Sequence, residues 1–177
     1  MDKFKEKFRI PSARLQTWNY GNNGSYFITI CTENRTHFFG ECKDGNMKLS
    51  TLGAIVQGFW HEIPKHFPFV TLGEFIVMPN HVHGILTIEK PENQVGALED
   101  SSGNFVGTAR FQNQGKGTIS SIVGSYKSIC TKHIRKDFPS IAFGWQDRFW
   151  DNIIKSEDSF TRISNYIVNN PANWKIP

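Results

Sequence analysis

The spacing of apolar and polar positions changes repeatedly along the chain. Residues 25–32, Ser-Tyr-Phe-Ile-Thr-Ile-Cys-Thr, are dense in aromatic and β-branched types and follow the turn-prone Gly21-Asn22-Asn23-Gly24, which predicts a strand. Residues 38–42 and 47–49 flank Lys43-Asp44-Gly45-Asn46, whose Asp-Gly pair is a hairpin signal. Ser50 or Thr51 then caps an expected helix through Leu52, Ile55, Val56, Phe59, Trp60 and Ile63, with Pro64 near its end. Residues 69–78 and 81–89 are two more strand candidates around Pro79-Asn80, read either as a tight turn or as a proline-bent continuous edge. From Pro91 to Gly117 the chain is polar, glycine-rich and aperiodic, which predicts a long mobile connection.

Thr118 or Ser120 opens the next expected helix, with the stripe Ile119, Ile122, Val123, Tyr126, Ile129, Cys130 and Ile134. An aromatic segment, Trp145-Gln146-Asp147-Arg148-Phe149-Trp150-Asp151, precedes a last helix near 157–169 that ends before Pro171. Trp145, Phe149 and Trp150 are expected to pack beneath Gln146 and Arg148. Strands cluster early and helices alternate irregularly, so the pattern predicts an α+β domain: an antiparallel sheet with helices packed on one face.

The 177 residues suit one domain spanning 1–177, and a 38% hydrophobic composition is enough for a sizeable core. No apolar run approaches the roughly 20 residues that span a bilayer, and the segment Met1–Lys7 lacks the apolar stretch of a secretory signal. A cytoplasmic location with no membrane partner is therefore expected. Cys31, Cys42 and Cys130 are odd in number and lack CxxC spacing, which points to reduced thiols. The net charge of +4 is mild, but Lys116, Lys127, Lys132, Arg135 and Lys136 lie in a stretch without an acidic residue. Such a segment can meet phosphates or be a solvated helix face.

The chemistry concentrates in Met78-Pro79-Asn80-His81-Val82-His83. In a strand, residues i and i+2 point the same way, so His81 and His83 face a common point while Val82 enters the core. Paired imidazoles are candidate ligands for a divalent cation, which would polarise a bound oxyanion, and Asn80 is a candidate supporting residue as well as a turn residue. Tyr126 on the basic helix has two open readings. Its hydroxyl can attack phosphorus and conserve the bond in a phosphotyrosine link, yet an aromatic on an apolar stripe is more often core. Lys127, Lys132, Arg135 and Arg148 are candidate phosphate contacts, Arg148 by the planar fork of its guanidinium, and become candidate DNA-binding residues under the resemblance described next. His37, His61 and His66 read as surface or helix-end residues without a role.

Taken together, the segment Phe75–Ile85, the helix segment Ser120–Ser128, and the C-terminal blocks Trp145–Ile154 and Tyr166–Pro171 resemble the single-tyrosine transposases of the HUH class, with closer similarity to the branch associated with repetitive extragenic palindromes. The resemblance covers nearly the whole chain. It implies a ferredoxin-like domain, often a homodimer, acting on single-stranded or hairpin DNA. It also implies Mg²⁺ or Mn²⁺ on His81 and His83, a helical tyrosine best matched by Tyr126, and a 5′-phosphotyrosine intermediate. Two positions depart from the family pattern. Cys130 stands where some relatives supply Gln or Asn as a third ligand, leaving His133 as an alternative at long reach, and Asn152 stands where many carry histidine. The rival readings are a noncatalytic, domesticated DNA-binding protein of the same fold and a zinc hydrolase using water as the nucleophile.

Overall fold

The computed structural model describes residues 20–91 and 117–174, together with the backbone pairing of β1 (Lys3–Phe4) with β2 (Lys7–Phe8). Apart from Pro91 and Gly117, the connection expected between them lies outside the described residues. The central sheet is built from β3 (Gly24–Cys31), β6 (Val70–Met78), β7 (His81–Ile88) and β8 (Trp150–Ile154), in the order β6-β7-β3-β8 with every neighbour antiparallel. Between β3 and β6 run the hairpin strands β4 (Gly40–Lys43) and β5 (Asn46–Leu49), then α1 (Thr51–His61) and the short α2 (Ile63–His66). Helix α3 (Ile119–Asp137) links β7 to β8, and α4 (Glu157–Val168) follows. The resulting β-α-β-β-α-β order with this strand arrangement is the ferredoxin-like α+β fold.

Local chemistry accounts for most boundaries. Asp44 and Gly45 both adopt positive φ, 51° and 74°, which suits the twist of the β4–β5 hairpin. The Ser50 hydroxyl accepts from the Gly53 amide at 3.1 Å and donates to the Phe38 carbonyl at 2.7 Å, so it starts α1 and ties it to the preceding loop. Pro64 does not end α1; the chain breaks at Glu62 and resumes as α2 with the proline in its first turn, where a missing N–H is harmless. Thr118 and Ser121 form a reciprocal capping box at α3. Pro79-Asn80 is a two-residue turn, with Met78 paired to His81. Neither residue has positive φ; the turn is instead strapped from outside, since Asn80 O accepts from Thr32 N and Oγ1, and Pro79 O from Phe39 N.

The aromatic segment holds an element that its composition obscured. Trp150–Ile154 pairs with β3 as the edge strand β8, and its Asp151-Asn152 pair breaks the apolar alternation by which a strand is recognised. Trp145 is buried and Phe149 packs against the core, but Trp150 is 60% exposed, contrary to the expectation that it packs beneath Arg148.

Strand register divides the sheet into two faces. On the inner face Tyr26, Ile28 and Ile30 of β3 sit opposite Leu86, Gly84 and Val82 of β7, and all enter the core with α1 and α3. Trp60 of α1 is fully buried, stacks on Phe75 at 4.4 Å and lies so close to Gly84 that a Cβ there would run into its ring. On the outer face stand Phe27, Thr29 and Cys31 with Ile85, His83 and His81. Two helices thus cover the inner face, while α4 lies on the outer one: Tyr166 meets Phe27 and His83, and Phe160 approaches Gly73 beside Ile85.

Gly84→Ala should lower stability by roughly 1–3 kcal/mol, because the added methyl must displace a packed indole. Urea denaturation followed by tryptophan fluorescence will show this as a lower midpoint at unchanged slope.

Candidate metal and tyrosine site

His81 and His83 converge as the strand period predicts. Their Nε2 atoms lie 3.1 Å apart and both side chains are buried. Two ligands about 2.1 Å from an octahedral ion and at right angles to each other would be about 3.0 Å apart, so the pair fits two adjacent corners of such a shell. Each ring is held from behind. Nδ1 of His81 lies 2.7 Å from Asn80 Oδ1, and Nδ1 of His83 lies 2.8 Å from Thr29 Oγ1. An amide oxygen only accepts, so His81 carries its proton on Nδ1 and turns the Nε2 lone pair outward. The Thr29 hydroxyl works in either direction. His83 can therefore place its proton on Nε2, bridging to His81, or on Nδ1, which frees both lone pairs for a cation.

The electrostatics keep both rings neutral. Burial, then the neighbouring His83 and the Arg35 guanidinium, push His81 down to about 3; burial and Arg35 push His83 down to about 4. Arg35 is exposed and has φ +56°, following Asn34 at φ +52°. Two successive left-handed residues other than glycine are costly, and such strain concentrates at functional sites. The charge of Arg35 thus adds to burial in keeping both rings neutral.

The third polar side chain at the pair is Tyr166 of α4. Its hydroxyl lies 3.5 Å from His83 Nε2, its ring centroid is 5.4 Å from that of His83, and the residue is 51% exposed. Trp174 closes the other side, 5.8 Å from the His81 ring and 5.9 Å from that of His37, which otherwise remains an exposed surface residue. The β4–β5 hairpin tip supports this C-terminal turn, with Gly45 against Ala172.

The structure corrects the placement of Tyr126. It is 2% exposed, donates its hydroxyl proton to Val56 O of α1 at 3.0 Å, and packs edge-on against Trp60. Because Trp60 covers the inner face, the sheet separates Tyr126 from the imidazoles, and burial raises its pKa well above the ordinary phenol value. Cys130 is buried on the same side with its thiol pushed up to about 12 by burial, and His133 contacts Phe59 of α1. Neither reaches the pair. Cys31 stands beside His81 on the outer face, but burial raises its thiol too. Among the described residues no group of three His, Cys, Asp or Glu is placed to hold a metal.

The basic candidates also divide. Lys127 Nζ donates to Gln146 O at 2.7 Å and Asp147 O at 3.2 Å, and Arg135 donates to Phe143 O at 3.1 Å, so both fasten the loop that leads into β8. Lys132 and Arg148 are exposed. Helix α3 packs on the inner face, so Lys127, Lys132 and Arg135 are not gathered around the histidines. Sequence reasoning missed Arg35, Thr29 and Tyr166 as site residues. For Tyr166 a signal was present: it stands in the matched Tyr166–Pro171 block, flanked by polar Asn165 and free of the apolar stripe that claims Tyr126.

A solved REP-associated tyrosine transposase bound to a REP hairpin superposes with a TM-score of 0.55 at 18% identity, over 98% of this chain and 74% of that one, so the chain has a transposase-like fold. An uncharacterized protein of Haemophilus influenzae is 38% identical over 164 residues, covering 93% of this chain and 89% of the relative. This chain belongs to the same family as that protein. No protein-family profile matches it. Among the described residues no helix is long and apolar enough to cross a membrane.

Two outcomes follow. In the presence of a chelator, unfolded histidines titrate near 6.5 and the folded pair at about 3 and about 4, so between these values the unfolded chain holds more protons and stability drops as the pH is lowered. By pH 5 the loss should reach about 2 kcal/mol per ring, and urea midpoints should drop less in a His81→Asn/His83→Asn variant. Were the pair to hold Mn²⁺, Asn80→Ala should weaken that binding by about 10- to 100-fold in titrations followed by electron paramagnetic resonance, because the His81 ring loses the acceptor that orients it.

Proposed function

We propose that the protein is a DNA-nicking and strand-joining enzyme of the HUH single-tyrosine class, with Tyr166 rather than Tyr126 as nucleophile. The observation that carries this reading is the approach of an exposed tyrosine hydroxyl to paired, neutral imidazoles, 3.5 Å from His83 Nε2, within one chain. No exchange of a tyrosine between subunits is needed. His81 and His83 would hold Mg²⁺ or Mn²⁺, with water and substrate oxygens completing the shell. When bound, the ion supplies charge stabilisation at a phosphate oxygen.

The chain's own groups account for the remaining chemistry. Arg35 attracts and orients the phosphodiester, and Asn80 and Thr29 hold the two rings at the required angle. The Tyr166 oxygen attacks phosphorus and loses its proton to solvent. The bond from phosphorus to the 3′-oxygen breaks, that oxygen takes up a proton, and a 5′-phosphotyrosine and free 3′-hydroxyl result. Attack by another 3′-hydroxyl reverses the step and joins strands without an external energy source. Single-stranded DNA with a hairpin is the proposed substrate, in keeping with the hairpin bound by the structural neighbour.

Incubation with end-labelled hairpin DNA and Mn²⁺ should give a covalent protein–DNA adduct on denaturing gels. Tyr166→Phe should abolish the adduct with folding intact. Tyr126→Phe should retain it and instead lose about 1 kcal/mol of stability, because the buried hydrogen bond from the phenol to the Val56 carbonyl is lost. An adduct that survives Tyr166→Phe and disappears in Tyr126→Phe would reverse the assignment. Salt-sensitive hairpin binding without any adduct would favour the noncatalytic reading.

A further inference from the structure

We infer that Trp150 is a stacking platform for one unpaired base beside the reacting phosphate, an inference that rests on the DNA-nicking reading above. Among the described residues Trp150, Tyr166 and Val168 are the large hydrophobic side chains left exposed, and Trp150 is the most exposed, at 60%. Its position in the sheet gives this exposure meaning. Trp150 pairs with Thr29 in β3, and Thr29 pairs with His83 in β7, so the three side chains stand in one row on the outer face. Two strand spacings, roughly 10 Å, separate the Trp150 backbone from that of His83. Thr29 between them is the residue that hydrogen-bonds the His83 ring.

The surroundings select the occupant. Among the described residues β8 is last in the strand order, with no strand beyond it. Tyr166 stands at the histidine end of this row, offering a hydroxyl, and the charge of Arg35 is felt by both imidazoles. A single strand whose phosphate meets Tyr166 beside the histidine pair can lay its neighbouring nucleotide along this row, over Thr29 to Trp150. The flat indole there offers a π-surface that every base can use, whereas a paired base in a duplex has both faces already stacked. Trp150 therefore gives preference for an unpaired nucleotide next to the scissile position without reading its identity. It is a binding residue, not one that touches the reacting atoms.

The test uses the full chain and a hairpin with a single-stranded extension, in versions carrying either a normal base or one abasic nucleotide at each position near the nick site. Affinity is measured by fluorescence anisotropy with the Tyr166→Phe protein, so that cleavage does not intervene. At one position the abasic substitution should weaken binding about tenfold, within the range known for aromatic–base stacking. In a background that also carries Trp150→Ala, both DNAs should bind equally and at the weaker level, and Trp150→Phe should fall between. Persistence of the base-versus-abasic difference in Trp150→Ala would overturn the inference while leaving the nicking reading intact. So would a Trp150→Ala effect confined to self-association in sedimentation, which would mark Trp150 as a contact between copies. Absence of hairpin binding by the parent protein at any salt concentration would overturn both.

Discussion

The antiparallel register between β3 and β7 is the constraint on which the rest of the site depends. It sets Thr29 beside His83 and Cys31 beside His81, and it sends Val82 and Gly84 to the opposite face. A slip of one residue would exchange these sets, burying the imidazoles under Trp60 and exposing the valine. Gly84 helps exclude that slip. Only a residue without Cβ lets the Trp60 ring lie against β7, and in the slipped register a histidine or isoleucine would have to occupy the same space. The core and the site are therefore two sides of one pairing decision.

The two faces have been given different tasks. The inner face is filled by aromatic and aliphatic side chains from α1 and α3, including Tyr126, whose hydroxyl is satisfied by a backbone carbonyl of α1. The outer face carries polar groups arranged in depth: Thr29 and Asn80 behind the imidazoles, Tyr166 and Arg35 around them, and Trp150 and Trp174 at the margins. Burial of the rings has an electrostatic consequence. It keeps them neutral far below their ordinary titration range, so that their lone pairs are available without competition from protons. The charge of Arg35 reinforces this.

Much of this fold was legible in the order of residues, because its signals are local. The strand at 25–32, the Asp44-Gly45 turn, the cap at Ser50 and the stripe of α3 each follow from chemistry within a few positions. The alternation of His81, Val82 and His83 likewise placed two imidazoles on one face before any partner strand was known. β8 was obscured because Asp151 and Asn152 interrupt its apolar pattern, and a short edge strand depends on pairing with β3 rather than on its own composition. The basic character of α3 was equally visible, but its purpose was not. Lys127 and Arg135 are engaged by carbonyls of the following loop, a role that charge counting cannot separate from phosphate binding.

The choice between the two tyrosines marks the boundary between the two kinds of information. Sequence alone determined that a histidine pair would face one way, that the domain would be α+β, and that Tyr126 lay on an apolar helical stripe, since each of these is a matter of period along a single element. Only the tertiary structure decided which tyrosine meets the histidines, because that depends on which face of the sheet each helix covers. α3 returns on the inner face and buries Tyr126 against Trp60; α4 crosses to the outer face and brings Tyr166 to His83. Side-chain period specifies a face of an element, whereas the partner on that face is specified by the path of the whole chain.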